Sequence, residues 1–200
     1  MKCDLCPDKH CEEGKDCWKA KGDVQKMYNS SEDQRIMQVS AAIEGTYYME
    51  KTRVEELIIF CKEMDYKRLG VAFCLGLQQE TQVLCSLLRK HFTVYSICCK
   101  VCGVAKEDFG LKKVDKNNYE VMCNPIMQAE VLAKNNTELN IIVGLCLGHD
   151  ILFTKYSKAP VTTLIVKDRV LAHNPAGALY SHFYSRKLTA KKEIEEVSYD

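Results

Sequence analysis

A chain of 200 residues, 46% hydrophobic and 28% charged, can bury a core of ordinary size and keep a solvated surface. With 28 basic against 27 acidic residues its net charge is +1, which removes any global electrostatic case for nucleic acid or an anionic membrane as partner. No apolar run approaches the roughly 20 residues that span a bilayer, and Met1-Lys2-Cys3-Asp4-Leu5-Cys6 lacks the apolar centre of an export signal, so a cytoplasmic location is expected.

In chain order, residues 1–22 carry four cysteines and many charges but few large apolar groups. Hydrophobic burial alone cannot offset the ordering entropy of such a segment, and a bound metal can. Ser30 or Ser31 is placed to cap a helix with Glu32 and Asp33 in its first turn. Ile36, Val39, Ile43 and Tyr47 supply its apolar stripe. Thr52–Met64 reads as a second helix, with Val54, Leu57, Ile58 and Cys61 on one side. Leu69–Cys74 is a short apolar run that predicts a buried strand, followed by a helix from about Gln78 to Lys90 and a strand over Thr93–Cys98. Asn124 as cap and Pro125 at the first helical position predict a helix to Ala133. Strands are predicted over Leu139–Leu145 and Val161–Val166, with a helix over Asp150–Tyr156 between them. Asn174-Pro175 repeats the cap pair and predicts a last helix to about Tyr184. The end, Lys187–Asp200, is charged and reads as a mobile or helical tail.

Continuous apolar strands alternating with helices predict an α/β fold, a mostly parallel sheet with helices on both faces. The expected divisions are a cysteine-rich metal-binding knuckle over 1–22, a helical lead-in over 23–66, an α/β core domain over 67–186 and the tail over 187–200.

The chemistry lies in 12 cysteines. Without an export signal, clustered cysteines point to metal ligation or catalysis rather than to disulfides. Cys3, Cys6, Cys11 and Cys17 fall within 15 residues, which suits four thiolates on a tetrahedral Zn²⁺ or on an iron–sulfur cluster; His10 can stand in for Cys11 on zinc. A second group sits at predicted strand and helix ends: Cys74, Cys98, Cys99, Cys102, Cys123 and Cys146, with His149 just beyond. In an open parallel sheet, ligands bind beyond the carboxyl ends of the strands. Helix N-termini pointing there favour thiolate over thiol. The expected core ligands are therefore Cys74, Cys99, Cys102, Cys123, Cys146 and His149, holding an iron–sulfur cluster. Cys98 is expected to face the core, opposite to Cys99. Cys61 and Cys85, on apolar helix faces, are expected to be plain core residues. His149 could equally cap a helix, and Glu80 and His173 read as solvated and structural. For Lys155, Lys167, Asp168 and Arg169 the default is surface charge, and contact with an anionic ligand is the other reading.

The cysteine-rich start, Ala72-Phe73-Cys74-Leu75-Gly76-Leu77, Cys123-Asn124-Pro125, and the stretch from Asn140 through Gly148-His149-Asp150 to Ala159-Pro160-Val161-Thr162-Thr163-Leu164 resemble a family of uncharacterised, predicted metal-binding proteins common in anaerobic microbes. The resemblance implies metal binding and a cysteine-bearing core domain, and it brings no established reaction with it. No Walker-type Gly-Lys-Ser/Thr loop, GxGxxG after a strand, serine nucleophile elbow or His-rich zinc-hydrolase motif is present. Whether the chain is an enzyme is left open. A redox or sulfur-handling role would call for an electron-transfer or small-molecule sulfur partner, with no nucleic acid and no membrane. The competing expectation is a zinc-binding structural or partner-interaction module.

Overall fold

The computed structural model describes residues 2–190, and the chain divides into two compact units, residues 1–52 and 53–200. In the first, short 3-10 turns at Cys3–Leu5 and His10–Glu13 lead to helix α1 (Lys21–Met27) and helix α2 (Ser31–Tyr47). Ser30 caps α2 as expected, its side chain accepting the Asp33 amide, and Val39 and Ile43 are the buried positions of the predicted stripe. Helix α1 starts two residues before the expected helical lead-in and has no buried residue.

The second unit holds helix α3 (Arg53–Glu63), strand β1 (Arg68–Phe73), helix α4 (Gln78–Leu88), strand β2 (Thr93–Cys98), helix α5 (Pro125–Lys134), strand β3 (Leu139–Val143), helix α6 (His149–Tyr156) and strand β4 (Val161–Ile165). All pairings are parallel, in the order β2-β1-β3-β4. The fold is therefore α/β, as the alternation of apolar strands and helices predicts. Side chains of β1 and β3 alternate between two cores, because successive strand residues point to opposite faces. Leu69, Val71, Leu139, Ile141 and Val143 join Leu57 and Cys61 of α3 and Leu84, Cys85 and Leu88 of α4. Ala72 and Ile142 join Ala129 and Leu132 of α5 and Phe153 of α6. Cys61 and Cys85 are buried core residues, and burial pushes both thiols up, that of Cys61 to about 12.

Strand order reverses at β1: the chain steps to β2 on one side and returns to β3 on the other. Such a switch point opens a crevice beyond the carboxyl ends of the two central strands. Two glycines let side chains cross there. Gly144, which follows β3 with φ +64°, lies where a Cβ would fall 2.0 Å from Leu77 Cδ1, and Gly76 would meet Lys167 Nζ at 3.3 Å.

The C-terminal region differs from expectation. In place of one helix from Asn174 there are two, α7 (Gly177–Tyr180) and α8 (His182–Ala190). Asn174 does not cap: its side-chain amide donates to the Tyr180 hydroxyl at 2.8 Å, and turns occupy Asn174–Ala176. Of the predicted tail, residues to 190 continue α8, and the remainder lies outside the described residues. Among the described residues no helix is long and apolar enough to cross a membrane.

Candidate functional site at the switch point

Cys74 is the first residue past β1, fixed by its amide donating to the Val143 carbonyl at 3.1 Å. Cys99 is the first past β2, and its amide donates to Phe73 O at 2.9 Å. The chain then makes an excursion, pinned by an antiparallel bridge between Ala105 and Val121. It returns with the Asn124 amide bonded to Cys99 O at 2.8 Å. That bond sets Cys123 beside Cys99 and starts α5, where Asn124 caps by accepting the Met127 amide at 3.1 Å. His149 opens α6 after the Gly144–Gly148 turn.

The result is a group of neighbouring side chains at the strand ends, Cys74 beside Cys99, with Cys123 packed against the same core and His149 close to Cys123. Its members come from four chain segments. Cys99 lies at the middle, 3% exposed, and the two flanking cysteines are half-buried. Hydrogen bonding from Cys99 holds Cys74 down at about 5, helped by the Gly76 amide and by Lys167, whose Nζ is 3.4 Å from the sulfur. Hydrogen bonds from Cys99 and then His149, with the nearby Lys100 charge, hold Cys123 at about 4. Cys99 moves the opposite way: contact with Cys123 and Cys74, together with burial, keeps its proton on, while the Leu75 amide donates to its sulfur at 3.4 Å. The two outer thiols are thus pushed toward thiolate and the buried middle one toward thiol. A proton kept on the middle sulfur avoids adjacent buried negative charges.

The expected ligands do not all join this group. Cys146 lies three residues past β3, and its sulfur accepts a hydrogen bond from the Arg169 guanidinium at 2.9 Å. Cys102 is exposed in a turn at φ +70°. The Cys98 sulfur, half-buried, accepts the Lys100 amide at 3.5 Å, while Cys99 is the deeply buried one; strand alternation stops where β2 ends. His173 is structural, with Nδ1 accepting the Asp168 amide. In the first unit Cys3, Cys11 and Cys17 are exposed and Cys6 is half-buried. Asp8 collects the Cys6 thiol, the His10 amide and Lys15, and these bonds hold its carboxyl below the usual carboxylate range.

Among the described residues no three histidine, cysteine, aspartate or glutamate side chains surround a common point closely enough to hold a metal ion. The donor chemistry of the group nonetheless suits a soft metal: three sulfurs and an imidazole. Ligation would require Cys99 to lose its proton and the sulfurs to turn toward one point.

One contributor was invisible in the sequence. Gln128 of α5 is fully buried, and its amide nitrogen donates to Ile97 O at 2.8 Å and Phe73 O at 3.3 Å, clamping the strand ends that carry Cys99 and Cys74. Its Oε1 has no partner. A lone glutamine on a helix gives no sequence signal, because only the sheet end above it creates its role. Replacing Gln128 with leucine leaves two strand-end carbonyls without this donor. The expected cost is about 1–2 kcal/mol, read as a lowered urea midpoint; an unchanged midpoint would show that the clamp carries no weight.

Comparison with known proteins adds identity without a reaction. Residues 12–164 match the family model described as protein of unknown function (DUF1847). The uncharacterized protein MJ0455 of Methanocaldococcus jannaschii is 58% identical over 195 residues, covering 96% of this chain and all of the relative. No solved structure matches the chain. A match across most of the length, from residue 12 into β4, places this cysteine-rich chain in the DUF1847 family of unknown function.

Proposed function

We propose that the protein is a cytoplasmic metal-binding protein with a redox or sulfur-handling role, whose core centre is an iron–sulfur cluster held by Cys74, Cys99 and Cys123 with His149 beside them. The observation that carries this reading is the convergence of three cysteines, from segments far apart in sequence, at the carboxyl edge of a parallel sheet. An iron–sulfur cluster takes thiolate ligands, and hydrogen bonds to its sulfurs tune its potential. The Leu75 and Gly76 amides supply donors of that kind. Cys146 and Cys102 belong to this centre only if the loops carrying them move inward. Cys3, Cys6, Cys11 and Cys17 hold Zn²⁺ or a second cluster. The partner is an electron carrier or a small sulfur compound.

Protein purified without oxygen tests this directly. It should be brown, contain iron and sulfide, and lose the core cluster in a Cys123→Ser variant while keeping the metal bound through Cys3. Binding should release the Cys99 proton into weakly buffered solution. A colourless protein with stoichiometric zinc would replace the cluster with a zinc-binding structural or interaction module, and a metal-free protein would overturn both.

A further inference from the structure

We infer that Lys167 and Arg169, carried on one locked turn past β4, bind the carboxylate of a small polar amino acid seated in the pocket beside Gly76, with Glu80 on the pocket wall as partner for its amino group. This goes beyond the metal reading and does not rest on it, because both cations act by charge whether or not the sulfurs hold metal.

The turn is fixed at both ends. Asp168 Oδ1 accepts the Val170 and Leu171 amides, each at 2.9 Å. The Asp168 amide donates to His173 Nδ1 at 3.2 Å, and the His173 amide donates back to the Asp168 carbonyl at 2.9 Å. The carboxylate between the two cations is thus engaged by its own turn. From that turn Lys167 reaches over the ends of β1 and β3. Its Cδ lies 3.7 Å from where a Cβ on Gly144 would stand, and its Nζ lies 3.3 Å from where one on Gly76 would stand. Two glycines therefore leave the notch that holds the lysine stem, and the ammonium ends against Gly76. Lys167 Nζ makes one hydrogen bond, to Cys74 Sγ at 3.4 Å, and Arg169 Nη2 makes one at the same edge, to Cys146 Sγ at 2.9 Å. An ammonium has three donors and a guanidinium five, so most of both remain for a ligand. Among the described residues neither cation stands in an ion pair, whereas Lys106 and Lys113, also half-buried, meet Glu120 and Glu107 at 2.7 Å.

Gly76 links these cations to an open pocket of about 450 Å³, whose other lining residues are Leu75, Gln78, Gln79, Glu80 and Gln82. That volume suits a small molecule. The three glutamines offer amide donors and acceptors to a polar side chain. Glu80 sets the ligand class, being the one carboxylate on the wall. It repels a ligand rich in phosphate and attracts an ammonium, while Lys167 and Arg169 attract a carboxylate. A zwitterion satisfies both ends, and an α-amino acid is the smallest common molecule of that kind.

The probe is L-asparagine, titrated by calorimetry into the protein as purified and after chelation, with metal content measured in both. Two analogues divide its charges: 3-aminopropanamide lacks the carboxylate and succinamate lacks the amino group. Asparagine should bind both protein forms, and each analogue about tenfold more weakly. In chelated protein it should slow iodoacetamide labelling of Cys74, which touches Lys167, and leave the exposed Cys102 unchanged. Lys167→Met keeps the stem in its notch and removes the charge. It should weaken asparagine and succinamate about tenfold and leave 3-aminopropanamide unaffected. Arg169→Gln should act in the same direction. Glu80→Gln should show the reverse pattern, weakening asparagine and 3-aminopropanamide alone. Folding of each variant is checked by circular dichroism, and Gly76→Ala, which keeps every charge and crowds the ammonium, should also weaken asparagine. No binding at about 10 mM asparagine, equal binding of 3-aminopropanamide, an unchanged affinity in Lys167→Met, or tighter binding of inorganic phosphate would overturn the inference. Absence of metal in the purified protein would instead strike the cluster reading and leave this one standing.

Discussion

Replacing Gly144 with alanine is expected to destabilise the protein by about 2–4 kcal/mol, a large fraction of an ordinary domain's stability. Two costs add. At φ +64° an L side chain is strained, and the new Cβ would fall 2.0 Å from Leu77 Cδ1. Leu77 is 2% exposed and packed in the core between the sheet and α4, so it has nowhere to retreat. The damage spreads to the site, because Leu77 ends the Leu75–Leu77 turn whose amides bond to Cys99 and Cys74. Urea unfolding should therefore fall in midpoint, and Cys74 should lose its enhanced reactivity. Gly103→Ala separates the two costs: its φ is +60° with nothing near a new Cβ, so only the strain remains, about 1 kcal/mol. Equal losses for the two variants would refute the packing argument.

The reactivity of Cys74 and Cys123 should be nearly independent of pH where ordinary thiols are strongly dependent on it. A free thiol with its usual value of 9.0 gains about tenfold in thiolate per pH unit below that value. From pH 6 to 8 an exposed thiol should therefore speed up about 100-fold in alkylation. Cys74 and Cys123, held at about 5 and about 4, are already thiolate over that range and should change less than about twofold. Iodoacetamide labelling of metal-free protein, quantified per residue by mass spectrometry, checks this. A 100-fold rise at Cys74 would disprove the lowering of its thiol by Cys99, the Gly76 amide and Lys167. The same shifts set the pH dependence of stability. Groups depressed on folding contribute in full above 9.0 and lose that contribution as pH falls toward 5 and 4. Cys99, Cys61 and Cys85 are raised, so their contribution is full below 9.0 and is lost as pH rises beyond it. The thiols together therefore place maximum stability near their unfolded value, with a decline on either side visible in denaturation midpoints.

Much of this was legible from residues alone. The largely apolar runs at β1, β2, β3 and β4 and the Asn124-Pro125 cap placed the sheet and its helices, because the central strands β1 and β3 are buried and a cap pair has a local cause. The repeat of that pair at Asn174-Pro175 misled, since the Asn174 amide was claimed by Tyr180. Cap geometry depends on what else is near, which sequence does not encode locally.

The sequence by itself determined the α/β class, the cysteine positions at strand ends and the burial of Cys61 and Cys85, since these follow from hydrophobic period and chain order. Only the tertiary structure decided which sulfurs meet. The strand order β2-β1-β3-β4 sets the ends of β1 and β2 side by side, so Cys74 and Cys99 are neighbours, and the Asn124–Cys99 bond carries Cys123 in from an excursion of more than twenty residues. Cys146, equally placed in sequence, pairs with Arg169 instead. The protonation pattern is likewise tertiary: a thiol becomes a thiolate through its neighbours, and those neighbours are distant in the chain.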